Sequence, residues 1–326
     1  MKNTRQITEA GLFAAILVIF IIGSFYIPVI GGAIFFIAPL PVIILSIRNT
    51  ALNVVVSCIV SALLSSLLVS FSFGFSVGML ALGIGLPMGL AIKRFEPPLK
   101  AMAIGTLGAF VALILIFGLM NFILGISTEQ TIDEMFSMSK DIQAEIDKTI
   151  ESYSTTLSPE QQTQIKMALG DSSETMDNMV ELLKLLMPAS LLLMSISLAM
   201  VNYRVSISFL KRLKMAHRPL GSFTTFTYPK HMAYGSAGML LGAYVLGSMG
   251  VVDMTTAMLN FIYLFIMIFY IQGLAVGYFF LRRSISKGVS ITILVLVSLL
   301  GLINYIALIG FMDVLLDVRR LQPKKR

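Results

Sequence analysis

Residues 101–124 read AMAIGTLGAFVALILIFGLMNFIL, twenty-four residues without a single charge. A helix of that length rises about 36 Å, enough to cross the ~30 Å hydrocarbon core of a bilayer. Its flanks set its direction. Lys93, Arg94 and Lys100 precede it, and the stretch that follows, Gly125–Leu183, holds twelve of the chain's seventeen acidic residues and three lysines. The rest of the chain carries twenty-one Lys/Arg against five Asp/Glu. Basic loops stay cytoplasmic in membrane proteins, so this run leads outward and the acidic stretch lies outside.

Working outward, eight more apolar runs appear: Ile7–Phe25, Ile34–Ile47, Ala51–Phe71, Gly74–Ile92, Leu183–Tyr203, Met232–Gly250, Ala257–Leu281 and Val289–Met312. With 57% hydrophobic and 13% charged residues in 326, the chain is not an ordinary soluble domain. An all-α polytopic membrane protein is expected, with a first membrane unit at 1–124, an acidic extracytoplasmic helical insert at 125–182 and a second membrane unit at 183–326. The net charge of +7 would suggest nucleic acid in a soluble protein. Here the cations flank apolar runs, so lipid is the expected partner and nucleic acid is not.

With a cytoplasmic amino terminus, the inside loops hold Lys2 and Arg5, then Arg48, then Lys93, Arg94 and Lys100, then a basic stretch 204–230, then Arg282, Arg283 and Lys287. Eight crossings obey the positive-inside rule. A ninth would place Arg319, Arg320, Lys324, Lys325 and Arg326 outside. A re-entrant hairpin over Val289–Val318, broken near Gly301, keeps that tail cytoplasmic, and is preferred to a full span. Each arm would be about 18–22 Å long. The first run lacks a small-residue cleavage site and is expected to be a retained helix.

The insert reads as helical. Thr131 with Glu134 forms a capping box, Ser158-Pro159 starts a second helix, Gly170 stops it, and a third start near Asp171–Glu174 leads into the sixth span, bent at Pro188. It is a solvated connector or a lid and docking platform.

The sequence contains no HExxH, GxSxG or Walker A motif, and no pair of acids in mid-span. Cys58 is the only cysteine and lies inside an apolar run; His217 and His231 sit among loop cations. No enzyme activity, metal or cofactor is expected, and an energy source would have to come from a partner. The polar features are few. Pro39 and Pro41 break the short second run, and such irregular backbone at membrane depth marks transporter sites or simply a kinked span. Tyr26–Gly32 would then fold over an external cavity. Asn121, near the outer end of its span, reaches a ligand or cross-links helices, as do Asn53, Asn202 and Gln272. Ser57, Ser61 and Ser65, and the pairs Gly74/Gly78, Gly85/Gly89, Gly238/Gly242 and Gly273/Gly277, read as close helix packing.

Two stretches resemble known families. Ile7-Thr8-Glu9-Ala10-Gly11-Leu12-Phe13-Ala14-Ala15, followed by Pro39-Leu40-Pro41-Val42-Ile43-Ile44-Leu45, resembles the S components of energy-coupling-factor vitamin transporters over about the first 205 residues. The tail Gly310-Phe311-Met312-Asp313-Val314-Leu315-Leu316-Asp317-Val318-Arg319-Arg320 is similar to that of the YybS-like bacterial membrane proteins, a likeness that extends over the chain and implies a multi-pass protein of a bacterial cell membrane. The S-component likeness implies a small-molecule ligand in an outward cavity near Tyr26, Gly31, Gly32, Met79, Asn121 and Ser190. It also implies that Ala10 and Ala14 pack on a membrane partner. The acidic insert and some 120 further residues depart from that pattern. In the tail, Asp313 and Asp317 fall four apart, with Arg320 near Asp317.

Two functions follow as expectations. One is small-solute binding for uptake or sensing, with an energising or signalling membrane partner. The other is a non-transporting scaffold or regulator that docks another protein through the acidic insert or the basic loop 204–230, which also suits anionic lipid.

Overall fold

The computed structural model describes residues 2–125, 130, 172–219 and 221–321. Among them all regular structure is helical: α1 (Lys2–Tyr26), α2 (Ile30–Ile37), α3 (Leu40–Arg48), α4 (Ala51–Leu68), α5 (Phe71–Lys93), α6 (Pro98–Leu124), α7 (Ser172–Leu185), α8 (Met187–Arg212), α9 (Lys230–Ser248), α10 (Met254–Leu281), α11 (Lys287–Leu299) and α12 (Ile303–Leu316). The helix starts expected at Thr131 and Ser158, and the stop at Gly170, fall outside the described residues.

Seven runs are long and apolar enough to cross a bilayer: α1 from Thr4, α2 and α3 together as Ile30–Arg48, α4, α5, α6, α8 and α10. The pair α11–α12 makes eight if counted as one span. The polytopic all-α architecture is therefore present. The expected run Met232–Gly250 forms α9, which is outside that set. α11 and α12 meet at 119° across a turn where Gly301 takes φ +76°. That left-handed conformation is open to glycine at little cost. Their thirteen and fourteen residues give arms of about 20 and 21 Å, the dimensions of a hairpin that enters and returns.

The second span is longer than the run Ile34–Ile47. α2 begins at Ile30, so only Ile27–Val29 remain as a turn. The break falls at Ala38–Pro39, where the proline cannot donate to the preceding turn. Asn202 of α8 donates from Nδ2 to the Phe36 carbonyl at 2.7 Å, re-satisfying backbone beside the break as a membrane helix requires.

The chain falls into two compact units, Met1–Leu113 with Ala189–Arg326, and Ile114–Pro188. In the second, α7 starts at Ser172, beside the expected Asp171–Glu174 start, and ends at Leu185. A one-residue turn at Leu186 separates it from α8, with Pro188 in the first turn of α8, where a missing N–H is tolerated.

Packing in the larger unit follows the small residues. Ser57 and Ser61 of α4 donate to the Ala10 and Ala14 carbonyls of α1, each at 3.0 Å. A Cβ on Gly78 would sit 2.7 Å from Ala62 Cβ, and one on Gly85 2.5 Å from Val42 Cβ, so α5 lies against both α4 and α3. At α10–α12, a Cβ on Gly273 would collide with the Ile306 carbonyl, and one on Gly310 with the Phe269 carbonyl. Gly238 and Gly242 differ from the expectation of a packing pair: nothing lies within 4 Å of where their Cβ atoms would be. The α1–α5 interior is apolar, built on Leu17, Ile21, Val42, Leu45, Val54 and Val77 with Phe20, Phe35 and Phe73 against it.

Candidate functional site

Nine residues before the end of α10 at Leu281, Gln272 sits fully buried. Its amide is the hub of a polar network in an otherwise apolar region. Nε2 donates to Asp313 Oδ2 at 2.8 Å and to Thr227 Oγ1 at 3.3 Å, and Oε1 accepts from the Tyr228 amide at 3.2 Å. Asp313, on α12, is 3% exposed, and Arg319, in the tail, is 4% exposed. Arg319 Nη2 and Nε donate to Asp313 Oδ2 at 2.8 and 3.0 Å, and its backbone N–H to Asp313 Oδ1 at 3.2 Å. The rest of the guanidinium turns to the loop: Nη1 donates to the Thr224 carbonyl at 2.8 Å and Nη2 to the Phe226 carbonyl at 2.6 Å.

The sequence makes this possible in three steps. α12 ends at Leu316 because Asp317 turns left-handed, φ 51°. Its carboxylate then accepts from the Leu321 amide at 2.8 Å, closing the turn locally. That reversal brings Arg319 back onto Asp313. Arg320 does lie near Asp317, its amide donating to the Asp317 carbonyl at 2.8 Å, but across this turn and not along a helix, which ends at Leu316. Third, loop 222–229 folds back along α10 to Gln272, nine residues or about 13 Å short of that helix's end. Irregular backbone at such depth must find partners, and Arg319 and Gln272 supply them.

Aromatic rings seal the network. Phe226 meets Tyr228 at 4.9 Å, Phe265 and Phe269 both meet Phe311, at 5.0 and 5.1 Å, and Arg283 lies 4.5 Å over Phe279. Burial pushes the Tyr228 phenol up to about 12. Around this fixed loop the chain is basic. Arg204, Lys211, Arg212, Lys214, Arg218 and Lys230 are all exposed, and residues 204–230 contain no carboxylate. α8, at twenty-six residues, is about 39 Å long, so its basic end extends past the hydrocarbon.

A second polar group lies where α1 meets α3 and α4. Arg48 donates to Glu9 at 2.7 Å, and Asn49 Nδ2 to the Gln6 carbonyl at 2.8 Å. Asn53 Nδ2 donates to Asn49 Oδ1 at 2.7 Å, and Lys93 Nζ to the Asn49 carbonyl at 3.0 Å.

The residues expected around an outward cavity are placed as follows. Tyr26 is exposed and donates from its hydroxyl to the Leu68 carbonyl at 3.3 Å. Gly31 and Gly32 belong to α2, with Gly31 against the Ser24 carbonyl, where a Cβ would sit 2.5 Å away. Met79 is half-buried on α5 and Ser190 half-buried on α8. Asn121 is exposed and belongs to the Ile114–Pro188 unit. Ala10 and Ala14 are covered by α4 through the serine bonds. Asn53, Asn202 and Gln272 all cross-link elements.

Asn260 makes a link that its sequence context does not announce: its Oδ1 accepts from the Ala189 amide at 3.0 Å, capping the start of α8. A polar residue at the fourth position of the apolar run Ala257–Leu281 was the available signal. Among the described residues no group of three or more His, Cys, Asp or Glu is placed to hold a metal ion.

The family described as "Predicted membrane protein (DUF2232)" matches residues 15–314. The chain belongs to that family. Its matched region takes in Gln272 and Asp313 and stops five residues before Arg319. Neither a curated protein nor a solved structure matches the chain.

Proposed function

We propose that this integral membrane protein is a non-transporting scaffold or regulator that docks an acidic segment of another protein on its basic inner loop. One observation carries the reading: the Asp313-paired Arg319 binds the Thr224 and Phe226 carbonyls, so the loop is a built surface and not a slack linker. Six exposed cations flank it in a stretch, 204–230, that contains no carboxylate, and unlike charge both recruits and orients a partner. The test is native purification with mass spectrometry of wild type and Arg212→Gln/Lys214→Gln/Arg218→Gln. The reading expects one acidic protein to co-purify with wild type and to be lost with the variant. The same protein retained by the variant, or no protein with either, overturns it.

Solute binding, in uptake or sensing beside a membrane partner, is the second reading, and a separate observation favours it. Asn202 Oδ1 and Ser206 Oγ, one turn apart on α8 and fully buried, have no hydrogen-bond partner, and Asn202 also reaches the broken second span. Polar groups left over beside broken helices are what transporter sites are built from. A small molecule co-purifying with wild type and lost in Asn202→Leu would favour it. Both readings place the protein in a bacterial cell membrane with both termini cytoplasmic and residues 125–182 outside.

A further inference from the structure

We propose that the cleft between the start of α1 and the end of α3 seats the phosphate-bearing headgroup of an anionic phospholipid. The proposal does not depend on the docking reading. The cleft measures about 290 Å³ and is lined by Arg5, Gln6, Glu9 and Arg48. Glu9 is shared: it lies 2.7 Å from the Arg48 guanidinium and 3.7 Å from that of Arg5. Two guanidiniums against one carboxylate leave a positive charge, with Lys93 held next door on the Asn49 carbonyl. Each guanidinium presents five N–H donors in a planar fork that suits a phosphate. Glu9 engages only part of that set. The Arg5 side chain is 80% exposed and that of Arg48 33%, so both are open to an incoming anion.

What singles out a lipid over a soluble anion lies further along the same helix face. Arg5, Glu9, Leu12, Ile16 and Ile19 follow one another at three- and four-residue spacing, one stripe of α1. Leu12 is 59% and Ile19 65% exposed. A cationic cleft therefore tops an open apolar stripe, the layout of a headgroup above its acyl chain. A free phosphate would use the cleft and leave the stripe without a role. The amino-terminal end of α1 is also the end that the positive-inside rule assigns to the cytoplasmic leaflet, whose surface is anionic.

The test uses the full chain in detergent micelles, with the thermal midpoint followed as phosphatidylglycerol, phosphatidylcholine or inorganic phosphate is added. Wild type is expected to respond to phosphatidylglycerol alone. Arg5→Gln/Arg48→Gln should need at least about fivefold more of it, the worth of one interfacial charge. Glu9→Gln should need no more than wild type, because it frees both guanidiniums. If the cluster is only a structural ion pair, Glu9→Gln and the arginine double variant weaken together, and that result overturns the proposal. Equal responses to the two lipids, a response to inorganic phosphate, or an unchanged phosphatidylglycerol response in the arginine variant also overturn it. Should the double variant not fold, Arg5→Gln alone carries the test, since Arg5 makes only the long contact and is largely exposed.

Discussion

Replacing Arg319 with methionine keeps an unbranched apolar stem and removes the guanidinium with its charge and donors. Asp313, 3% exposed, would keep its bonds from Gln272 and the Arg319 backbone but lose the guanidinium. Breaking a buried pair from one side leaves an uncompensated charge and costs about 3–5 kcal/mol. The Thr224 and Phe226 carbonyls lose their donor at the same time, so loop 222–229 is expected to lift and rehydrate. Removing both charges, as Asp313→Leu/Arg319→Met, abolishes the lone buried carboxylate. That variant should lie within about 2 kcal/mol of wild type, with the loop still released. Denaturation in mixed micelles reads the free energies, and maleimide labelling of a cysteine at Thr225 reads the loop. Cys58, 2% exposed, gives little background. A loss below about 0.5 kcal/mol for Arg319→Met, the ordinary range for surface changes, would refute the reasoning. So would a double variant as unstable as the single.

Three further outcomes follow. Gly273→Val drives a side chain into the Ile306 carbonyl and should destabilise the α10–α12 contact by 1–3 kcal/mol or more, the usual cost of overpacking, while Gly238→Val, facing open space, should be near neutral in the same denaturation assay. The Tyr228 phenol is raised by burial from 10.0 to about 12, so the folded state holds that proton more tightly than the unfolded one. The associated stability is complete below pH 10 and is lost as pH rises toward 12; Tyr228→Phe should show a shallower fall of the thermal midpoint across that window, and identical slopes would contradict it. Ser61→Ala removes the bond to the Ala14 carbonyl and should cost about 0.5–1.5 kcal/mol, whereas Ser61→Leu, which also forces α1 from α4, should cost clearly more.

The polytopic helical architecture was legible because long uncharged apolar runs are a property of composition that a bilayer enforces. The bend near Gly301 was legible as well, in the small and polar residues that interrupt the last apolar run. The serine stripe on α4 and most glycine pairs could be read as packing from spacing alone. The Asp313–Arg319 pair could not. Helical spacing links residues three or four apart, and these are six apart across a left-handed turn at Asp317. Nor could the sequence bring Thr224 and Phe226 to Arg319, some ninety residues away. Gln272 was legible as a cross-link but not its partners. At Tyr26–Gly32 the sequence suggested a loop, and the structure shortens it to the turn Ile27–Val29, with Gly31 letting α2 approach the Ser24 carbonyl.

Whether a protein docks on the clamped loop can be read by cross-linking in the membrane. A photo-crosslinking residue placed at Phe223, 42% exposed, in native membranes should capture one acidic protein in otherwise wild-type chain, and the adduct should vanish in the folded Asp313→Leu/Arg319→Met variant. An undiminished adduct in that variant, or lipid as the sole adduct in wild type, would contradict it.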